Sequence, residues 1–471
     1  MNKLTLIAMM TAAACGGGQK TSSGGGGGGN PPPPPAIGKN SDMTEAKPGQ
    51  QAPKQDISKD ARQDYQAAYG FFADTDKGGK WNDSACRQSA EKFQAVVKEH
   101  SDLVAAQFMV GLSYTRCSLW DDAAKAFQQT TNMKGDATKQ AMALSSLGTI
   151  YWKQGKLDSA KQYWDQAIKA NGKLVGARIG IASLELEQMR KMGPKDPKWK
   201  DVEGDARINL SNALGVDSDN VEAYATYGLL YMEGWKENKN RLLLAKLLLD
   251  EGQKRNANHP ALQNAYGLYY MHRGALNEAL ASFTKAVEGD PKFVEARVNA
   301  GILTLSFRKY DTAKEMFGKA LEVAPKNYDA VIGLGIALRG LNDLDGAEKQ
   351  FKLAQQINPK DGDAYYNLGV LYKDFRANKQ NDPDPIKTMR ASQNVYKQAK
   401  DFFTQFLDKD GDPNDKNEAK NNIADCDKVV KQLDSAITSL QNAPQQPAAP
   451  ATPPAAPAAA PAAPPAAPAG K

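Results

Sequence analysis

Gly267, Gly301, Gly335 and Gly369 recur every 34 residues, and their surroundings repeat in step. Behind the first three stand Ala279, Ala313 and Ala347, then Phe283, Phe317 and Phe351. Ala286, Ala320 and Ala354 follow, and Pro291, Pro325 and Pro359 close each period. A period of this length is one helix–turn–helix unit, too small to bury its own apolar face. Such units stack into a quasi-one-dimensional array that offers an extended concave surface. Glycine and alanine positions predict close helix approach, and the Phe, Tyr and Leu positions predict the filling between units. Each proline falls where a second helix must stop, because it cannot continue one.

This register resembles the tetratricopeptide (TPR) repeat, which implies an all-α superhelical solenoid. The pattern extends upstream through Leu147, Gly148, Tyr151, Ala160 and Trp164, and before that through Gly111, Tyr114, Ala123 and Phe127. Ser89, Phe93 and Val96 read as an earlier second helix, with Tyr65 to Phe72 as its first. Two copies between 175 and 259 are distorted, and the last is interrupted. Gly193, Pro194 and Pro197 separate a first helix ending at Met192 from a second over Ala206–Leu214. Gly234 to Asn240 delays the next second helix to Leu242–Leu249, and a polar insertion around Asp382-Pro383-Asp384-Pro385 delays the last. Pro and Gly clusters of this kind mark loops. About nine repeats are expected over 60–413, followed by a capping helix over 414–443 whose core is Glu418–Leu440, with Asn414 or Asp415 as its cap.

The two ends differ from the body. Lys3, the apolar Leu4–Met10 and Ala12-Ala13-Ala14 predict a signal peptide over 1–14. The apolar stretch is too short to span a bilayer. Cys15 directly after it resembles the lipobox of bacterial lipoproteins, which implies lipidation there. Gly16 in place of Asp implies, by the same resemblance, sorting to the periplasmic side of the outer membrane. Residues 15–59, with unbroken glycine (Gly24–Gly29) and proline (Pro31–Pro35) runs, read as a disordered tether. Residues 444–471, nearly all Pro and Ala, read as a polyproline-II spacer or proline-motif ligand, or as a solubilising disordered tail.

The net charge of +6 is small for 471 residues, and no basic stripe with aromatics is visible, which argues against nucleic acid as a partner. His100, His259 and His272 fall in different repeats, and no metal or nucleophile motif is present. No cofactor, small-molecule substrate or catalytic role is therefore expected. Asp408, Asp410, Asp412 and Glu418 suggest a calcium loop, but Pro413 and Ala419 stand where glycine and glutamate belong. Cys86 and Cys117 should lie at the same end of neighbouring antiparallel helices. They could be a disulfide in an oxidising compartment or two buried small side chains.

The expected binding surface is the inner face of the first helices. Its floor would be Asn264 and Leu268, Val298 and Ile302, Ile332 and Ile336, and Tyr366 and Val370; alternatively the superhelix itself buries these apolar residues. Glu295, Asp329 and Asp363 would add an acidic rim. The carboxylate clamp of the TPR family needs Lys and Arg on this face. Only Asn264, Asn299 and Asn367 could contribute, so an amphipathic or extended segment with an apolar face and basic flank fits better. The whole arrangement resembles TPR lipoproteins of Gram-negative outer membranes, above all those of the myxobacterial adventurous gliding motility machinery. That resemblance implies a periplasm-facing scaffold between outer-membrane barrels and periplasmic motor components. The alternative is a TPR lipoprotein that assists assembly of outer-membrane barrels or pilus secretins.

Overall fold

The computed structural model describes residues 58–409 and 413–442, and no strand occurs among them. The leader, Cys15, nearly all of the tether, the Pro/Ala tail, Asp410 and Asp412 lie outside these residues. The described chain falls into two compact units that meet in sequence at Leu341 and Asn342.

The larger unit runs through α1 (Lys59–Lys77), α2 (Asp83–Glu99), α3 (Val104–Thr115), α4 (Trp120–Asn132), α5 (Ala137–Lys153), α6 (Leu157–Ala170), α7 (Val175–Met192) and α8 (Trp199–Val216). It continues through α9 (Val221–Met232), α10 (Asn240–Arg255), α11 (Pro260–His272), α12 (Leu276–Gly289), α13 (Val294–Ser306), α14 (Tyr310–Val323) and α15 (Tyr328–Gly340). Odd helices are the first members of helical hairpins and even helices the second. Each helix packs on its sequence neighbours, and first helices also touch first helices of the next hairpin. The smaller unit holds α16 (Leu344–Ile357), α17 (Asp363–Val370), α18 (Pro385–Leu407) and α19 (Pro413–Gln441).

Local chemistry sets the boundaries. Several helices begin at side chains that cap free amides. Ser58, Asp136, Asn220 and Asn327 do so for the first helices α1, α5, α9 and α15, and Asn82 for α2, all at 2.9–3.1 Å. Pro260 and Pro385 occupy first-turn positions, where no amide is needed. The short turn that follows a first helix commonly uses one left-handed residue. Glycine supplies it at Gly155 and Gly274, but Ser118, Arg308 and Asn342 occupy the same register position with φ of 59°, 56° and 66°.

The fixed spacing of glycine and ring has a direct steric cause. A Cβ at Gly111 would sit 2.6 Å from the Phe127 ring, and one at Gly301 would sit 2.8 Å from Phe317. Gly369 stands 2.7 Å from Phe403 on the same measure. Two rings are gripped twice. Trp164 lies against Gly148 of its own hairpin and Gly180 of the next, and Phe317 lies against Gly301 and Gly333. Phe93, Phe127, Phe283, Phe317, Phe351 and Phe403 are wholly buried. Each such ring contributes roughly 1.5–3 kcal/mol by leaving water.

Three boundaries depart from the sequence reading. The second helix expected over Ala206–Leu214 begins at Trp199. That early turn is held by the buried Trp199 and by Arg241, whose guanidinium stacks 5.0 Å above the indole. The terminal helix begins at Pro413, so Asn414 and Asp415 lie within its first turn instead of capping it. The last first helix loses α geometry after Val370, passing through a π turn over Leu371–Arg376 and a short 3₁₀ turn over Ala377–Lys379. Arg376 explains the change of pitch. It reaches Asp345 at 2.6 Å and Glu348 at 2.7 Å on α16, and Tyr372 donates to Glu348 at 2.9 Å.

Candidate partner-binding surface

The inner face of the larger unit is built from one stripe of each first helix. Glu295, Val298 and Ile302 on α13 lie one turn apart, and Asp329, Ile332 and Ile336 repeat them on α15. The floor is not open to solvent. Val298, Ile302, Ile332 and Ile336 are between 0% and 7% exposed, and Asn264 is also buried. Adjacent first helices are close enough for Asn299 Nδ2 to donate to Asn264 Oδ1 at 2.8 Å. Leu268 is half-buried, Asp329 likewise, and Glu295 is exposed. Of the two readings of the floor, burial within the superhelix describes these residues, and the accessible parts are the rim and Leu268.

The unit also curves. Lys153 on α5 and Glu295 on α13 are four hairpins apart in sequence, yet Nζ and Oε1 come within 4.0 Å. Inner-face side chains of distant repeats thus converge. Both partners remain about half exposed, so the pair itself adds little stability. It does mean that the acidic rim has a basic counterpart, which a rim-only reading missed.

In the smaller unit Asp363, Tyr366 and Val370 share one face of α17 and are half-buried. Tyr366 is not a free floor residue. Its ring packs edge-on against Phe403 and Phe406 at 5.6 and 5.4 Å, and its hydroxyl donates to Glu418 on α19 at 2.6 Å. Lys400 pairs with Asp427 at 2.7 Å, and Lys373 reaches Asn422 at 2.7 Å, so α19 is fastened along its length. Glu418, considered above as a calcium ligand, is engaged by this phenol. Among the described residues no cluster of His, Cys, Asp and Glu is arranged to hold a metal ion.

Cys86 on α2 and Cys117 just after α3 are joined as a disulfide, with Cα atoms 6.3 Å apart. Cys426 on α19 is a buried free thiol. Burial pushes it up to about 11, so it stays protonated and unreactive at neutral pH. Among the described residues no helix is long and apolar enough to cross a membrane.

Two polar anchors were invisible to repeat analysis. Arg241 pairs with Glu203 at 2.8 Å, with both side chains largely buried, and donates to Leu230 O and Glu233 O. It locks the two distorted hairpins together. Glu185 on α7 is buried, and desolvation raises its carboxyl to about 7 despite a hydrogen bond from Asn209 Nδ2 at 3.3 Å. Neither residue has a counterpart in the regular repeats, so periodicity carried no signal for them.

Residues 304–369 and 140–178 match models of the tetratricopeptide repeat. The chain carries TPR repeats, and its fold is the all-α TPR solenoid. A search of curated proteins finds no match. Among solved structures it is similar to a thermophilic TPR protein of Thermus thermophilus, at 23% identity and a TM-score of 0.36, covering 42% of this chain and 99% of that one. YrrB, a TPR protein with an unusual peptide-binding site, aligns at 19% identity and a TM-score of 0.33, covering 42% and 95%. The Cut9 and Hcn1 hetero-tetramer of the APC/C gives 15% identity and 0.37, covering 81% and 83%. Values this low say nothing about partners.

Proposed function

We propose that the chain is a lipid-anchored scaffold on the periplasmic side of the outer membrane, gripping protein partners within an envelope-spanning machine, and that this machine is the gliding motor. The observation that carries the scaffold reading is the acid repeated in register on the first helices of the larger unit, Glu295 on α13 and Asp329 on α15. Carboxylates in register on successive first helices suit a partner segment with a basic flank, whose apolar side would meet the half-buried Leu268. Export is supported by Ala12-Ala13-Ala14 ahead of Cys15 and by the Cys86–Cys117 bridge, since disulfides persist in oxidising compartments. Cys15 is the lipid attachment point in this reading.

Crosslinking in intact cells followed by purification from solubilised envelopes tests the role directly. Motor components must be recovered; barrel-assembly or secretin components alone would overturn the motility assignment. Fatty-acid labelling must disappear in Cys15→Ala. Rim charge is tested separately with Glu295→Lys plus Asp329→Lys. Recovery of the partner should fall and lose its salt sensitivity, because charges at the rim of an interface act on encounter more than on packing. Unchanged recovery and salt dependence would remove the rim from the binding site.

A further inference from the structure

Five of the six tryptophans stand at one edge of the larger unit. Trp81 and Trp235 lie in the turn between the two helices of a hairpin, and Trp120, Trp152 and Trp199 lie within two residues of such a turn. The sixth, Trp164, is a buried packing ring. Hairpins stack side by side, so the turns inside them share one edge and the links between them share the other. Trp199 is buried, but Trp81, Trp120, Trp152 and Trp235 are only half-buried. Trp81 packs on Phe72 at 5.1 Å, Trp152 on Trp164 at 6.4 Å and Trp235 on His272 at 5.3 Å. Closing a hairpin does not require an indole: α4 begins with Trp120, whereas α6 and α12 begin with Leu157 and Leu276.

The same edge is basic. In the larger unit the seven loops inside hairpins hold ten Lys and Arg against three acids, a net +7. The seven loops between hairpins hold four against five, a net −1. First-turn acids such as Asp121 and Asp122 on α4 offset the charge at the early hairpins. The excess peaks at the two distorted ones, with five Lys and Arg against two Asp over 190–201. Their loops, 193–198 and 233–239, are the longest of the seven, and Arg190 ties them together through Glu233 at 2.6 Å. Lys195, Lys198 and Lys236 on these loops are exposed and form no ion pair among the described residues. Lys239 Nζ stands 4.0 Å above the Trp235 ring. In sequence these residues are scattered from Lys80 to Lys309, and the stacking of hairpins brings them to one edge.

We propose that this edge docks on a membrane surface rich in anionic phospholipid, led by the loops 193–198 and 233–239. Indole rings settle at the headgroup level of a bilayer, where one end is apolar and the other wet. Lysines beside them are drawn to the negative surface potential of anionic lipid. Rings spread along the edge over successive hairpins suit a partner extended in two dimensions better than one strand in a groove. The contact is peripheral, since no helix among the described residues is long and apolar enough to cross a membrane. It goes beyond the scaffold reading and does not need an acyl chain at Cys15.

The test uses the full chain with Cys15→Ser and vesicles of phosphatidylcholine with or without phosphatidylglycerol. Phosphatidylcholine alone gives the baseline set by the apolar leader. Co-sedimentation above that baseline is expected with phosphatidylglycerol, and it should fall as salt rises. Lys195→Gln, Lys198→Gln and Lys236→Gln together should weaken it on the order of a hundredfold, about fivefold for each lysine, with helical content unchanged. Brominated lipid should quench tryptophan emission, and Trp235→Phe, which keeps a ring on His272, should reduce the quenched fraction. A chain indifferent to phosphatidylglycerol overturns the proposal. So does binding that survives loss of the three lysines, emission that bromine leaves unchanged, or capture of an oligonucleotide by a chain that ignores the vesicles. Fatty-acid labelling at Cys15 is read separately, so failure of the edge and failure of the anchor are told apart.

Discussion

Placing the same substitution at two glycines of one hairpin gives a sharp test of what the repeat spacing is for. Gly301 lies on α13 and Gly318 on α14. Both are helical, so alanine in place of either gains about 1 kcal/mol of helix propensity. Their surroundings differ. A methyl group at Gly318 meets nothing within 4 Å, whereas one at Gly301 lands 2.8 Å from Phe317 Cε1. Phe317 is wholly buried and is held from its other side by Gly333, so the ring cannot retreat. Overpacking of a filled site costs about 1–3 kcal/mol. Gly318→Ala should therefore stabilise by up to about 1 kcal/mol, and Gly301→Ala should destabilise by up to about 2 kcal/mol once its propensity gain is subtracted. Amide hydrogen exchange over α13 and α14 reads the change locally, which suits a repeat array whose parts need not unfold together. In a Phe317→Ala background the penalty at Gly301 should vanish. Equal shifts at the two glycines, or a penalty that survives loss of the ring, would refute the steric account.

The left-handed turn residues give a second expectation. Arg308→Gly should stabilise its hairpin by about 0.5–1 kcal/mol, with a smaller gain for Asn342→Gly, because asparagine tolerates that conformation better; thermal melts of the single variants check the order. Reducing Cys86–Cys117, which spans 31 residues, should remove about 3–4 kcal/mol from α1–α4. Exchange in α11–α14 should not respond to reductant. Glu185 makes stability depend on pH. Its folded carboxyl titrates near 7, above the unfolded value of 4.5, so between those values the native state holds the extra proton. Its contribution is complete below pH 4.5 and is lost as pH rises through 7. Glu185→Gln should flatten that part of the curve; denaturation midpoints that fall equally in both chains across this window would count against it.

Periodicity made much of the fold readable. Glycine, alanine and phenylalanine at fixed offsets are steric necessities of two helices crossing a ring, so they leave a mark in the sequence wherever the hairpin is regular. What escaped was set by contacts between hairpins. The early start of α8 depends on Trp199 beneath Arg241, a residue of the following hairpin. The π turn after α17 depends on Arg376 reaching back to α16. The inner face was legible as a stripe, but its accessibility was not. Exposure is decided by how closely adjacent first helices approach, as the hydrogen bond from Asn299 to Asn264 shows, and the repeat period does not encode that. The outward leucines of α10 were in plain view as an apolar run. They pass for core until the buried pair Ala245 and Leu249 fixes which side faces in.

The bridge near the start of the array has a mechanical side. If tension enters through the N-terminal segment, it crosses from Cys86 to Cys117 through a covalent bond, and the chain between them cannot be drawn out. Those 31 residues would otherwise lengthen by about 100 Å when pulled straight. A single-molecule extension trace should therefore be shorter by that amount in oxidised chains, and α3, inside the closed loop, would be bypassed by the pull. The first hairpins then serve as a stiff coupling that passes strain inward, where an unbridged end would stretch and absorb it.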